Sequence, residues 1–162
     1  MTTIIAKPLT QEAFAPFGQV VDMAAVAGVS MNDGRAERFF DVAKIQLDGP
    51  NPRPMISLAR SQPVTLPYSL TFVERHPYGS QMFFPLGGPF LVIVAPHEGG
   101  RPGTPLAFLT APGQGINYAL NTWHGALTPL GEVSDFLIVD RGGDGENLVV
   151  HRFDEPYTVV AG

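Results

Sequence analysis

Cysteine is absent from this 162-residue chain, and charged side chains are scarce. Without cysteine the chain has no disulfide, no thiol nucleophile and no cysteine-based zinc site. Charged residues make up 15% of the sequence, against about 25% in an average globular domain. Only Lys7 and Lys44 are lysines and the formal net charge is −5. A surface that neutralises nucleic-acid phosphates is therefore not expected.

Long apolar runs are missing as well. No stretch of the sequence approaches the roughly 18 consecutive apolar residues of a membrane-spanning helix. Residues 1–7 lack the basic segment followed by an apolar run that is typical of a signal peptide. The sequence therefore predicts a soluble, cytoplasmic protein that takes a small molecule as its partner, rather than a nucleic acid or a membrane.

Glycine and proline, in contrast, are abundant, with 18 and 16 residues respectively. Turn-forming residues at this density leave few stretches long enough for amphipathic helices, and they favour many short strands joined by tight turns. The length fits one domain over residues 1–162. We expect N-terminal strands and loops over residues 1–51 and a main β-barrel over residues 55–160.

Turn signals divide the chain into short segments of regular length. The N-terminal part predicts a helix over Gln11–Phe14 capped by Thr10, and strands over Gln19–Asp22, Glu37–Leu47 and Met55–Arg60. The remaining predicted strands are Leu70–His76, Gln81–Leu86, Phe90–Ala95, Leu106–Thr110, Ile116–Leu120, His124–Leu130, Val133–Asp140 and Asn147–Phe153. Strands at this spacing, about 8–12 residues apart, are typical of a β-sandwich or barrel. The fold class is all-β with minor short helices.

Glu74 and His76 lie two residues apart on one predicted strand. Side chains alternate along a strand, so both share a face with Leu70 and Phe72, the better candidates for the core. A buried carboxylate is costly unless it is paired, hydrogen-bonded or bound to a metal. If the following hairpin keeps its register, Gln81 lies beside this pair. The alternative is that Glu74 pairs with an arginine and His76 only ends the strand.

A second group of candidates surrounds the only tryptophan, Trp123, which directly precedes His124 and follows Tyr118 and Asn121. Aromatic rings with one polar group suit a pocket wall, and the alternative is a core tryptophan beside a surface histidine. Arg60 ends a predicted strand, where an arginine can bind a carboxylate through two hydrogen bonds. A surface ion pair is the commoner role for such a residue.

The remaining polar positions carry weaker signals. Asp140 and Arg141 end an apolar strand, where the favoured interpretation is an internal ion pair followed by a turn. His97 lies in a loop rich in glycine and proline, and His151 lies near the C-terminus. We expect these two histidines to be structural or exposed.

Several segments together resemble the ureidoglycolate lyase family, formerly called ureidoglycolate hydrolase. The matching segments are Leu9–Phe14, Asn32–Gly34, Arg60–Pro63, Glu74–Gln81, Phe84–Leu86, Gly113–Tyr118, Asn121–His124, Asp135–Leu137 and Asp140–Gly143. Each is weak alone, but together they are specific and cover nearly the whole chain. The family belongs to the cupin superfamily, so the resemblance implies a double-stranded β-helix, or jelly-roll barrel. It also implies a homodimer.

The resemblance extends to a metal site. Many cupins hold a metal through a His-x-His pair, a glutamate and a distant histidine. The matching positions here are Glu74, His76, Gln81 and His124, with Glu74 in place of the first histidine and Gln81 in place of the glutamate. The family implies Ni²⁺, and nitrogen and oxygen ligands equally suit Mn²⁺, Fe²⁺ or Zn²⁺. No organic cofactor is expected.

The activity implied by the resemblance is cleavage of ureidoglycolate to glyoxylate and urea, in the degradation of allantoin and purines. The catalytic candidates are Glu74 or His76 as base and His124 as acid, or the reverse. The substrate-binding candidates are Arg60 for the carboxylate, Gln81, Tyr118 and Asn121 for the ureido group, and Trp123 as pocket wall. The alternatives are an amidohydrolase that releases ammonia and CO₂, a cupin of another substrate class, and a non-enzymatic small-molecule-binding cupin.

Overall fold

A computed structural model describes residues 1–162 as an all-β protein with one short helix, α1 (Gln11–Phe14), and one 3₁₀ turn (Met23–Ala25). The strands are β1 Thr3–Pro8, β2 Gly18–Val21, β3 Val29–Met31, β4 Ala36–Arg38, β5 Arg53–Ser61, β6 Tyr68–Arg75, β7 Gln81–Pro85, β8 Phe90–Ala95, β9 His97–Glu98, β10 Arg101–Pro102, β11 Leu106–Leu109, β12 Gly115–Tyr118, β13 Trp123–His124, β14 Thr128–Pro129, β15 Ser134–Gly142 and β16 Val149–Ala161. None of its helices has the length and apolar character needed to cross a membrane.

Two large sheets build the fold. In the first sheet, six strands run in the order β11-β1-β16-β6-β13-β8, and pairing of β8 with β11 closes them into a barrel. The second sheet has the order β2-β12-β7-β15-β5. Only β1 runs parallel to its neighbours, β11 and β16. The predicted all-β cupin-type barrel is confirmed, and the N-terminal strand β1 is one of the barrel strands, although the sequence suggests that the main barrel starts near residue 55.

Strand β8 is buried along its whole length because it faces a hydrophobic core on each side. One core, which we call the inter-sheet core, lies between the barrel and the five-stranded sheet and includes Phe90, Val92 and Val94 of β8. The other, which we call the barrel core, includes Leu91, Ile93 and Ala95. A continuous apolar run is expected of a strand that is covered on both faces.

The N-terminal helix begins where the sequence predicts it. Thr10 has an extended backbone and its Oγ1 accepts the Ala13 N–H at 3.2 Å, which satisfies one free donor of the first turn. The Gln11 side chain then bonds both the C=O and the N–H of Val20. These contacts attach the helix to β2 at the edge of the five-stranded sheet.

Three predicted strands differ from the observed ones. Residues 37–47 contribute only the end of the short strand β4, and their remaining backbone forms a loop. The predicted strand 124–130 is observed as two short strands, β13 and β14, which both pair with β8. The Gly125 N–H still donates to Ile93 O of β8 at 2.9 Å, and the register against β8 shifts by one residue before β14. Strand β16 is much longer than predicted and changes register between Arg152 and Tyr157, as a β-bulge does.

Candidate active site

The polar residues of the five-stranded sheet form a layer at one end of the inter-sheet core. The register of β15, β7 and β12 places Ile138, Phe83 and Ile116 side by side, facing this core. The next inward-facing layer along the same strands consists of Asp140, Gln81 and Tyr118. Each strand therefore carries apolar side chains into the core and ends its inward-facing row with a polar side chain.

Across the core, the barrel contributes Glu74, His76 and His124. Glu74 and His124 are direct partners in the antiparallel pairing of β6 and β13, so their side chains point to the same face. The His76 Nε2 lies 3.8 Å from Glu74 Oε1, and the imidazole rings of His76 and His124 are 5.2 Å apart. Ligand atoms of all three residues lie within 4.8 Å of one another.

One predicted neighbour of Glu74 lies elsewhere. Leu70 is buried in the barrel core together with Val73, whereas Phe72 lies outside both cores beneath the guanidinium of Arg152. The expectation that Leu70 and Phe72 share the inner face with Glu74 is therefore wrong. The two-residue alternation of β6 is broken between Leu70 and Val73, next to the register shift of β16. The apolar residues that line the cavity with Glu74 come from other parts of the chain, such as Phe83 of β7 and Phe90 of β8.

Both histidines of the cluster are oriented by backbone carbonyl groups. The His76 Nδ1 lies 2.7 Å from Asn147 O, and the His124 Nδ1 lies 2.9 Å from Gly125 O. A carbonyl oxygen only accepts hydrogen bonds, so each neutral ring carries its proton on Nδ1. The two Nε2 atoms are buried without a hydrogen-bond partner. Each of them offers a free lone pair to the site.

His124 is the most enclosed member of the cluster, with 3% of its surface exposed. The Tyr118 ring stacks on its imidazole at a centroid distance of 4.3 Å. Burial, followed by the charge of His76, lowers the pKa of His124 to about 3, so this ring is neutral at neutral pH. Burial, followed by the negative charge of Glu74, raises the pKa of Tyr118 above its ordinary value, so the phenol keeps its proton.

This donor set fits a divalent transition metal. Two imidazole nitrogens and one carboxylate, close together and without other partners, form a combination that suits Ni²⁺, Mn²⁺, Fe²⁺ and Zn²⁺. Carbonyl groups that fix each imidazole through Nδ1 are the usual outer partners of metal-binding histidines. Gln81 Oε1 is a further buried oxygen without a partner. Glu74, His76 and His124 would hold the ion, with Gln81 as the additional ligand implied by the cupin resemblance.

The residue that the sequence did not indicate for this layer is Asp140. Its Oδ2 accepts a hydrogen bond from Gln81 Nε2 at 3.1 Å. The expected ion pair with Arg141 is absent, because the Arg141 guanidinium donates to the backbone carbonyls of Asp48, Pro50 and Asp144. The signal that would have identified Asp140 is its position at the end of the inward row that contains Phe136 and Ile138.

The structure does not bring Arg60 to this cluster. Arg60 binds Asp135 through two hydrogen bonds, of 2.8 and 3.0 Å, and 74% of its side chain is exposed. Arg60 pairs with Asp135, and the next pair along the two strands is Ala59 with Phe136, which is fully buried. Because side chains alternate along a strand, Arg60 and Asp135 point to the outer face of the sheet. The hydrogen bond from Arg60 holds the pKa of Asp135 below its ordinary value.

Trp123 and Asn121 also lie outside the direct surroundings of Glu74. Trp123 belongs to the barrel core, the opposite side of β13 from His124, and the Arg75 guanidinium lies 5.0 Å from its ring centroid. The side-chain oxygen of Asn121 accepts a hydrogen bond from Arg75. The backbone N–H of Asn121 donates to His76 O at 3.0 Å. Asn121 therefore contacts the cluster through the backbone of His76.

A cavity of about 150 Å³ opens beside the cluster. Its lining consists of Glu74, Phe83, Phe90, Leu91, Tyr118, His124, Gly125, Ala126 and Leu127. None of these residues is a lysine or an arginine. A small ligand in this cavity would meet a mostly apolar wall with the polar groups gathered at one end, which is the common design of a small-molecule site.

Comparison with known proteins identifies the family. A profile of the ureidoglycolate lyase family matches residues 1–160. The chain is 58% identical to the ureidoglycolate lyase of Chelativorans sp. (strain BNC1) over 160 residues, which cover 98% of this chain and 97% of that protein. The chain belongs to the ureidoglycolate lyase family. The resemblance found in the sequence is thereby confirmed.

Other comparisons agree with this membership. The chain is 58% identical to the ureidoglycolate lyase of Mesorhizobium japonicum, with 98% of both chains covered. Among solved structures, the fold is similar to a dTDP sugar isomerase from Desulfovibrio desulfuricans G20, with a TM-score of 0.51, 13% identity and coverage of 86% of this chain and 87% of that chain. At that identity the likeness supports the barrel fold alone.

Proposed function

We propose that this member of the ureidoglycolate lyase family cleaves ureidoglycolate into glyoxylate and urea. The relatives that carry this name are 58% identical to the chain over nearly their whole length. The observation that carries the proposal is the cluster at the cavity. Ligand atoms of one carboxylate and two imidazoles lie within 4.8 Å of one another, and both imidazole Nε2 atoms are without a hydrogen-bond partner. These are the groups that a proton transfer within a small substrate needs.

The chemistry is the breakdown of a carbinolamine. One carbon of ureidoglycolate carries a hydroxyl group, a carboxylate and a urea nitrogen. Cleavage breaks the carbon–nitrogen bond, turns the hydroxyl into the aldehyde of glyoxylate and moves one proton from that oxygen to the departing nitrogen. No proton is gained or lost overall, so a site that accepts the proton at one atom and returns it at another completes the reaction. A positioned acid or base contributes about 10²–10⁴-fold to such a step.

Glu74 and His76 are the pair that we assign to this proton transfer. The His76 Nε2 and Glu74 Oε1 are 3.8 Å apart, so a proton taken by one of them can reach the departing nitrogen directly or through the other. His124 is neutral at neutral pH because burial lowers its pKa to about 3. A neutral ring has no proton on Nε2 to give, so His124 does not serve as the acid. Its free Nε2 suits a hydrogen-bond acceptor or a metal ligand.

The substrate carboxylate needs a positive partner, and no lysine or arginine lines the cavity. Ni²⁺ or another divalent metal held by Glu74, His76 and His124 would supply a positive charge for the carboxylate and lower the pKa of the hydroxyl group. A lone pair that binds a metal is no longer free to take a proton. Whether turnover depends on a metal therefore decides whether Glu74, His76 and His124 bind a metal or leave Glu74 and His76 free to transfer the proton.

One experiment tests the reaction and its metal dependence together. The purified protein is treated with a chelator and incubated with ureidoglycolate, with and without added Ni²⁺, Mn²⁺, Fe²⁺ or Zn²⁺, while glyoxylate, urea and ammonia are measured. We expect glyoxylate and urea in equal amounts, above a control without enzyme. Ammonia with CO₂ would indicate the amidohydrolase instead, and binding without turnover would indicate a non-enzymatic binding protein.

We also propose that the protein is a homodimer, with β5 as the contact. β5 is an edge strand of nine residues, paired only with β15. Two of its outward-facing side chains, Ile56 and Leu58, are 75% and 73% exposed. A long edge strand with exposed apolar side chains favours pairing with another chain, and antiparallel pairing with a second copy satisfies a two-fold axis.

A further inference from the structure

Asp140 and Gln81 form a partly buried polar contact at the end of the inter-sheet core, and neither has a role in the proposed proton transfer. Gln81 Nε2 donates to Asp140 Oδ2 at 3.1 Å. The other oxygen of each side chain, Gln81 Oε1 and Asp140 Oδ1, is buried and has no hydrogen-bond partner. Buried oxygens without a partner are costly and are usually paired. Two such oxygens in one side-chain contact indicate that a hydrogen-bond donor from a bound ligand belongs next to them.

The contact fixes the orientation of the Gln81 amide. An ionised carboxylate only accepts hydrogen bonds, so Asp140 requires the nitrogen of the amide and turns its oxygen away. No arginine competes for Asp140, because the guanidinium of the neighbouring Arg141 is occupied by backbone carbonyls. Gln81 lies opposite Tyr118 in the pairing of β7 and β12, and Tyr118 stacks on His124.

We propose that Asp140 is a positioning residue that directs Gln81 Oε1 toward the substrate, where it accepts a hydrogen bond from a ureido N–H. This inference rests on the proposed function. The ureido group is rich in N–H donors, and the urea that leaves keeps them. A site with a fixed acceptor discriminates against analogues without such a donor, since the acceptor then stays buried and unpaired.

A double-mutant cycle tests whether Asp140 acts through Gln81. The variants are Asp140→Asn, Gln81→Met and the double variant, each assayed for kcat, KM, metal content and thermal stability. In Asp140→Asn the new amide can donate to Gln81 Oε1 and release the fixed orientation. We expect each single variant to raise KM for ureidoglycolate about tenfold, the loss of one hydrogen bond of about 1.4 kcal/mol. We expect kcat to change much less.

The double variant gives the decisive result. If Asp140 acts through Gln81, KM of the double variant equals that of Gln81→Met alone. Additive effects would overturn the inference, and so would an unchanged KM in Asp140→Asn. Loss of bound metal in Gln81→Met would overturn the assignment of Gln81 Oε1 to the substrate. Asp135→Asn serves as the control, because Asp135 lies on the outer face beside Arg60.

A measurement on the wild-type protein keeps the inference testable if a variant does not fold. Selective ¹⁵N labelling of glutamine gives the side-chain amide signals, among them that of Gln81. We expect slowed hydrogen exchange at Gln81 because its NH₂ group donates to Asp140 in a partly buried hydrogen bond. Rapid exchange would overturn the Asp140–Gln81 contact whatever the enzyme does. A wild-type protein that releases no urea would instead overturn the proposed function, and the assignment of a ureido ligand with it.

Discussion

Glu74 and His124 occupy directly opposed positions on β6 and β13, so a carboxylate and an imidazole project side by side into the inter-sheet core. Strand β13 ends immediately after His124, and the carbonyl of Gly125, freed by that interruption, accepts the hydrogen bond from the imidazole Nδ1 at 2.9 Å. The break in the strand therefore orients the ring and leaves Nε2 free. A continuous strand would have placed this carbonyl in the sheet pairing instead.

The first prediction concerns the two histidines. His76→Ala removes a group of the proposed proton transfer, so we expect kcat for ureidoglycolate to fall by about 10²–10⁴-fold. His124→Ala removes the second free Nε2 atom, a hydrogen-bond acceptor or metal ligand of the same cluster, and we expect kcat to fall in this variant as well. Circular dichroism establishes that the variants remain folded. His97→Ala is the control, since His97 is an exposed residue of β9. Turnover close to that of the wild type in both variants would exclude this cluster as the active site.

The second prediction concerns Arg60. Because Arg60 points to the outer face and its guanidinium is bound to Asp135, Arg60→Ala is expected to leave KM and kcat near their wild-type values. Exposed ion pairs contribute little to stability, so the melting temperature is expected to change little as well. Steady-state kinetics with ureidoglycolate check this. A large increase in KM with unchanged kcat would show that Arg60 binds the substrate carboxylate after all.

Local patterns in the sequence predict much of the fold. The helix Gln11–Phe14 with its cap at Thr10, and the strand Phe90–Ala95, are found with the predicted bounds. A cap and an apolar run are local signals, written in consecutive residues. The parallel position of β1 between β11 and β16 depends on partners more than 90 residues away. No pattern within residues 1–8 contains that information.

The candidate site also contains residues that the sequence predicts and residues that only the three-dimensional contacts reveal. Alternation along one strand predicts that Glu74 and His76 lie together, and the family resemblance adds His124, which the structure brings within reach. Neither source locates Asp140, because its contact with Gln81 joins residues 59 positions apart. For Arg60 and Trp123 the sequence left two roles open, which differ in the face of the strand that the side chain takes. The structure places Arg60 in an outward ion pair and Trp123 in the barrel core. A one-residue difference in register reverses that face.

The third prediction concerns the glycine opposite Tyr118. Gly18 pairs with Tyr118 across β2 and β12, its φ is +146°, and a Cβ atom there would lie 1.8 Å from Asn117 O. Gly18→Ala therefore has to move the strand that supports Tyr118, and we expect the free energy of unfolding to fall by at least about 2 kcal/mol. At Gly88 a Cβ atom meets nothing within 4 Å. Urea unfolding of Gly18→Ala and Gly88→Ala makes the comparison, and equal stability of the two variants would contradict the prediction.

The fourth prediction concerns the proposed dimer contact. Ile56→Lys combined with Leu58→Lys places two charges on the most exposed apolar part of β5, so we expect a shift from dimer to monomer. Light scattering coupled to size-exclusion chromatography gives the mass of each form. Leu106→Lys changes an exposed apolar residue of β11, a strand of the barrel sheet that does not pair with β5, and is expected to leave the mass unchanged. A wild-type protein that runs as a monomer would contradict the proposal directly.

The last prediction follows from the burial of His124, whose pKa is about 3 in the folded protein and about 6.5 in an unfolded chain. Between these values the unfolded state binds one proton more than the folded state, so stability is retained above pH 6.5 and lost as the pH falls. For this residue we expect a loss of about 1.4 kcal/mol per pH unit at about pH 5. Urea unfolding of the metal-free protein across this range measures the slope, which His124→Asn should reduce and His97→Asn should not. Equal slopes in both variants would show that His124 gains its proton without unfolding.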